Sequence, residues 1–232
     1  MTQVGSVGEL WRYPVKSMRG ERLAAAQIEA RGLVGDRGLA VYDADGKIGS
    51  GKITRRFRAI AGLRAHAARM IGGAVAITSP EGLTIRTSEP NAADALAASL
   101  EQTVSLRAET DVAHHDAAPV HLLTTTSLRE ISARVGRALD AFQFRPNIVV
   151  ETDASWPAEE DWVGRTIAIG SSVRLRIAER TERCIMVNAL PDDGKDERVI
   201  RAIARENESC LGVYAEVLTP GTITQGDLVT LV

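Results

Sequence analysis

The sequence predicts a mainly β chain with a few helices, arranged as two β-rich units, and three observations carry that expectation. Short apolar runs recur between glycine-containing turns in both halves of the chain. A polar stretch without period, Glu109–Pro119, interrupts the pattern near the middle. The 232 residues, 44% of them hydrophobic, are enough for one large β-rich domain or two small ones with a filled core.

Alternation of apolar and polar positions predicts strands over Val4–Val15, Arg22–Glu29, Arg37–Tyr42 and Lys47–Ile53, with Asp43-Ala-Asp-Gly46 as the hairpin turn between the last two. Such a meander is antiparallel. The alanine-rich stretch Pro90–Leu100 has apolar residues at helical spacing, with Ser88 as N-cap and Pro90 in the first turn. Glu109–Pro119 then reads as a linker dividing the chain into residues 1–110 and 111–232. Beyond it comes the apolar segment Val120–Leu123. Ser127-Leu-Arg-Glu130 has the spacing of a capping box and starts a helix to about Leu139. Strands are expected over Asn147–Glu151, Arg165–Ile169, Val173–Glu179, Ile185–Val187, Val213–Leu218 and Leu228–Val232, with a helix from about Asp196 to Glu208. Many short strands with glycine turns suit a barrel or a sandwich.

Composition narrows the function. The net charge is −2 and no run of five like charges occurs, which argues against nucleic acid or a membrane surface as partner and favours a small molecule. No stretch has the form of a secretion signal or reaches the length of a membrane span, so a cytoplasmic location is expected. Cys184 and Cys210 are then reduced thiols. With no Cys-x-x-Cys pair, a zinc ribbon or iron–sulfur cluster of ordinary type is excluded.

Cys184 stands in the strand-like apolar run that breaks into a turn at Pro191-Asp-Asp-Gly194, with Arg180 and Arg183 close by. Its local pattern fits first a small buried hydrophobe, and second a thiol aimed into a pocket to bind a metal or attack an electrophile. Four other segments decide between them. Trp11–Met18 (WRYPVKSM), Gly32–Gly38 (GLVGDRG), Phe144–Val150 (FRPNIVV), the Cys184 segment with its proline seven residues on, and the ending Gly212–Val232 together resemble, in order, the MOSC family. That family is named for the C-terminal domain of molybdenum cofactor sulfurases.

The resemblance spans nearly the whole chain and implies a MOSC β-barrel preceded by a smaller β-rich N-terminal domain. It implies the molybdenum cofactor (molybdopterin), with Cys184 as metal ligand and catalytic centre, as in the amidoxime-reducing members that the motifs resemble most. A soft thiolate suits such a centre. Ile185-Met-Val-Asn188 follows the cysteine where the family more usually has a threonine-containing run. The matching family segments further imply Lys16, Ser17, Arg37, Arg145 and Asn147 as cofactor-binding residues. Arg145 and Asn147 flank Pro146, and two residues apart in a strand they would share a face. Thr126 and Ser127, with Thr125, begin a helix whose hydroxyls and amides suit phosphate or pterin, although Ser127 also suits plain N-capping. Asp36 beside Arg37 equally reads as a surface ion pair. Ser50, Lys52, Arg55 and Asn188 are expected at the substrate mouth.

Ser50-Gly-Lys52 is not a nucleotide P-loop, because Ile53 follows the lysine. His114, His115 and Asp116 read as solvated loop, Cys210 as structural, and His66 and His121 as uninformative. Two function classes follow. One is a reductase of N-oxygenated small molecules fed by a separate electron-donor protein, since no redox domain is visible. The other is a sulfur carrier or cofactor carrier using Cys184 without turnover. A different phosphorylated cofactor at Lys16 and Arg145, such as pyridoxal phosphate, is a third option at the level of the family.

Overall fold

In the strand Val173–Glu182, Val173, Leu175 and Ile177 are buried while the intervening Arg174 and Arg176 point outward, the period of two that a strand with one wet face requires. The same logic builds a closed barrel in the computed structural model, which describes every residue except Val112 and residues 190–193. Seven strands go round in the order Thr2–Arg12, Ile148–Glu151, Val120–Thr124, Cys210–Thr219, Val173–Glu182, Thr166–Ile169 and Leu228–Leu231, which pairs back onto Thr2–Arg12. All these pairings are antiparallel except that of Val120–Thr124 with Ile148–Glu151. Val7, Leu10, Leu122, Ile148, Ile167, Leu175, Val213 and Val229 are among the buried residues of the interior. Closure removes the unpaired sheet edges that an open sheet would expose.

The first strand therefore sits in the same barrel as the last. Ala25–Glu29 likewise pairs with Gly221–Thr224 and Gly32–Leu33. Two further sheets lie wholly within the N-terminal half: one of Val104–Ala108, Leu39–Asp43, Ile48–Ser50 and Phe57–Ala59, another of Thr84–Arg86, Ala74–Thr78 and Ala67–Ile71. Helix α1 (Ala92–Leu100) joins them through a second core that includes Val41, Leu63, Ile77, Leu96 and Leu100. Helices α2 (Thr125–Val135) and α3 (Arg198–Asn207) cover a third around Leu123, Ile131, Val199 and Ile203.

The expected mainly β class and most strands are observed, and the Asp43–Gly46 turn links Tyr42 to Ile48 as read. Five local readings differ. Ile48–Ser50 pairs with Phe57–Ala59 in parallel, so the meander is not wholly antiparallel. The residue before α1 is Asn91 rather than Ser88, and it makes no side-chain cap bond. Thr124, not Ser127, caps α2, its hydroxyl accepting the Ser127 N–H at 3.1 Å. Gly136 then ends α2 short of Leu139 in the left-handed conformation, at φ 80°. Ile185–Asn188 is a 3-10 turn, not a strand, because Cys184 leaves the barrel in extended form and the chain curls immediately behind it. The turn expected at Pro191–Gly194 lies largely outside the described residues.

Candidate functional site

Where the barrel mouth meets the N-terminal sheets, a cleft of about 170 Å³ is lined from both sides. Strand Val173–Glu182 has register shifts between Ile177 and Glu179 and between Arg180 and Glu182, and such irregularities bend a strand at its end. Arg183 and Cys184 follow this bend and enter the cleft wall. The Cys184 side is exposed, so the small-buried-hydrophobe reading fails. Around it stand Lys16, Ser17, Arg37, Ser50, Lys52, Arg145 and Asn147, all foreseen from sequence and brought together here.

Three of them, Ser17, Arg37 and Arg145, hold positive φ angles of 68°, 50° and 56°. A side chain in the left-handed region costs roughly 1 kcal/mol or more, so the surroundings must hold it there. They do. Tyr13 C=O accepts the Arg37 N–H at 2.7 Å, and the buried Asp36 carboxylate accepts the Tyr13 N–H at 2.7 Å while it pairs with the Arg37 guanidinium. Arg145 caps the 3-10 turn Ala141–Phe144, and this left-handed residue, not an extended Arg-Pro-Asn strand, is what turns its guanidinium toward the cleft. Asn147 is buried, its carbonyl accepting the His121 N–H at 3.1 Å and its amide donating to Trp11 C=O at 3.3 Å.

The cleft lining holds six cations, Lys16, Arg37, Lys52, Arg64, Arg145 and Arg183, against two carboxylates, Asp116 and Glu182, which makes it a site for anions. Burial pushes Lys16 down to about 8, with Asp116 at 3.0 Å opposing the shift. Burial and the neighbouring Arg37 lower Arg145 to about 10. Arg145 donates to Met18 C=O at 2.6 Å and Arg183 to Phe144 C=O at 2.7 Å. Neither has a carboxylate partner among the described residues, and Arg145 Nη2 and Arg183 Nε are buried without any hydrogen bond. Buried donors of this kind are costly unless something accepts from them.

Several residues go elsewhere. Thr126 is buried and donates to Thr152 C=O at 2.9 Å, and Ser127 is fully buried in the first turn of α2; neither lines the cleft. Asn188 is spent on α3, its side chain accepting the Ile200 N–H at 3.0 Å. Arg55 lies in a different cavity. Arg180 pairs with Glu160 and Glu208.

Sequence reasoning missed others. The expected solvated loop is a packed strap: His114 is buried, its carbonyl accepts Lys16 Nζ at 2.7 Å, its ring bonds Tyr42 Oη at 3.0 Å, and His115 and Asp116 line the cleft. Burial, with Arg37 and Arg31 near, drives His115 down to about 4. His121 faces Arg183 at 3.3 Å, and burial followed by that charge pushes it well below the usual histidine range, which leaves its ring neutral. Gly212 is required opposite it, since a Cβ there would stand 2.6 Å from the imidazole. The one sequence signal was a histidine inside the apolar run Val120–Leu123.

Comparison with known proteins bears on the whole chain. The MOSC domain model matches residues 109–230, and that of the MOSC N-terminal beta barrel domain matches 4–122. The mitochondrial amidoxime-reducing component 1 of Mus musculus is 27% identical over 100% of this chain and 83% of its own length. Component 2 of Bos taurus is 28% identical, covering 85% of this chain and 70% of its own. In the crystal structure of the YUAD protein from Bacillus subtilis the fold is shared, with a TM-score of 0.56 at 13% identity over 98% of this chain and 94% of that one.

Proposed function

The chain belongs to the MOSC family, and from that premise we propose that it holds the molybdenum cofactor in the cleft and reduces N-oxygenated small molecules with electrons from a separate protein. One observation carries this reading: an exposed cysteine shares a cation-rich cleft with two half-buried arginines, each of which keeps one buried donor nitrogen without an acceptor. The donor set fits the group. A thiolate suits molybdenum, and fixed guanidinium and ammonium groups suit the pterin's phosphate. When bound, the cofactor supplies the two-electron redox chemistry that amino acids lack.

The chain's own residues do the rest. Cys184 presents the soft donor. Arg145, Arg183 and Lys16 hold the anionic end, and Asp36 and Asn147 keep Arg37 in place. Lys52 and Ser50 line the cleft from the N-terminal side and are assigned to substrate. For an amidoxime the N–O bond breaks, two electrons from the donor protein and two protons are taken up, and an amidine and water leave. The names of the relatives, amidoxime-reducing components, support this substrate class.

The test is turnover of an aryl amidoxime by holoprotein driven by reduced methyl viologen. Steady amidine formation in wild type and none in Cys184→Ser is expected. Molybdenum-loaded protein without turnover, or protein that carries cyanide-releasable sulfur and no metal, would replace the reductase with a cofactor or sulfur carrier.

A further inference from the structure

A second cavity, of about 470 Å³, opens on the outer side of the N-terminal sheet and is lined by Tyr42, Lys47, Arg55, Arg56, Arg107 and Thr110 among others. Its four cations have no carboxylate within salt-bridge distance among the described residues. Asp43 and Asp45, the nearest acids on the preceding turn, are already engaged by Arg58 at 2.8 Å each. Arg107 lies over the Tyr42 ring at 4.7 Å, and Arg55, Arg56 and Arg107 are exposed. In a chain of net charge −2, this is a strongly positive face.

The face borders the cleft. Lys52 lines the cleft and Arg55 the second cavity, and three residues of even fully extended chain span at most about 11 Å. Arg56 also donates to Ala113 C=O, on the strap whose His115 and Asp116 line the cleft. A large body seated on these arginines therefore sits beside the cleft.

We infer that this face docks the electron-donor protein, and that the donor presents an acidic surface around its redox centre. The inference rests on the reductase reading above, which requires such a donor. Transient redox encounters bury little area and draw on complementary charge for their rate, which suits exposed arginines better than an apolar patch does. A small polyanion is the other occupant that four cations suit. The spread of the cations over an open sheet face favours a protein.

The experiment compares two electron sources for amidoxime reduction by the holoprotein: reduced methyl viologen, and a reduced [2Fe–2S] ferredoxin with an acidic surface. Arg55→Glu with Arg107→Glu is expected to raise the KM for ferredoxin about tenfold and to leave the viologen-driven rate within about twofold. Arg55→Glu alone, at a side chain with no ion pair among the described residues, should move KM in the same direction. Raising salt from roughly 0.1 M to 1 M, which shortens the Debye length from about 10 Å to 3 Å, should slow the ferredoxin-driven wild type far more than the double variant. An unchanged ferredoxin KM in the double variant would overturn the assignment, as would viologen-driven turnover with none from ferredoxin. Tight binding of tripolyphosphate that the double variant loses, with ferredoxin KM unmoved, would reassign the cavity to a small anion. Absence of viologen-driven turnover in molybdenum-loaded protein would instead remove the reductase reading, and this face's role with it.

Discussion

The barrel interior and the cleft at its mouth are built by the same strands and follow opposite rules. Inside, Leu122, Ile148, Leu175 and Val213 fill the space with aliphatic groups that need nothing from a ligand. At the mouth, the same strands and their connections hold two arginines that each keep a buried nitrogen without an acceptor, a lysine lowered to about 8 by burial and three residues in the left-handed conformation. The interior is where stability is made. The cleft spends some of it on readiness to bind.

That contrast can be broken by substitution. Leu122→Ala leaves a cavity in the barrel and is expected to lower stability by about 2–5 kcal/mol in denaturant titration, with the molybdenum content of the folded fraction unchanged. Loss of metal at equal folding would show that the two regions are not separable. Lys16→Met should act in the reverse sense, raising stability at neutral pH by roughly 1–3 kcal/mol while weakening anion binding, because burial disfavours the charged amine. A fall in stability would mean that its contacts with His114 and Asp116 outweigh the burial cost. Thr124→Ala removes the cap of α2, outside the cleft, and should cost about 1 kcal/mol with turnover intact.

Titration sharpens the same comparison. Lys16 has a lower pKa folded than its ordinary 10.5, so the fold gains stability as pH rises from about 8 toward that value, whereas anion affinity declines as pH rises through about 8. Phosphate binding to cofactor-free protein, followed by calorimetry across this window, should weaken accordingly; a flat profile would remove Lys16 from the anion site. His115 runs from an ordinary 6.5 down to about 4 in the fold. Between those values the unfolded chain takes up the proton first, so stability falls as pH drops through the window, and His121 adds in the same direction. His115→Gln should flatten that part of the acid-unfolding curve.

Much of the barrel was legible because period-two burial is written directly into strands such as Val173–Glu182. The closure by Thr2–Arg12 was not, since pairing between the two ends of a chain leaves no local mark. In the cleft, the short motifs carrying Lys16, Ser17, Arg37, Arg145, Asn147 and Cys184 could be read from resemblance, and these residues do converge. The route was misread at Arg145, where a left-handed residue replaces the extended strand. The strap with His115 and Asp116 stayed hidden because a polar, aperiodic stretch looks the same whether it floats or packs. Arg55 was assigned with the Ser50–Arg56 segment and Asn188 with the run after Cys184, but Arg55 lines a different cavity and Asn188 is bonded to α3.

The most direct measurement of the central claim is the metal content of protein produced with molybdate in a host that makes the cofactor. About one molybdenum per chain is expected in wild type and almost none in Cys184→Ser, with both variants equally folded. Equal loading of the two would contradict the assignment of the Cys184 sulfur as the ligand.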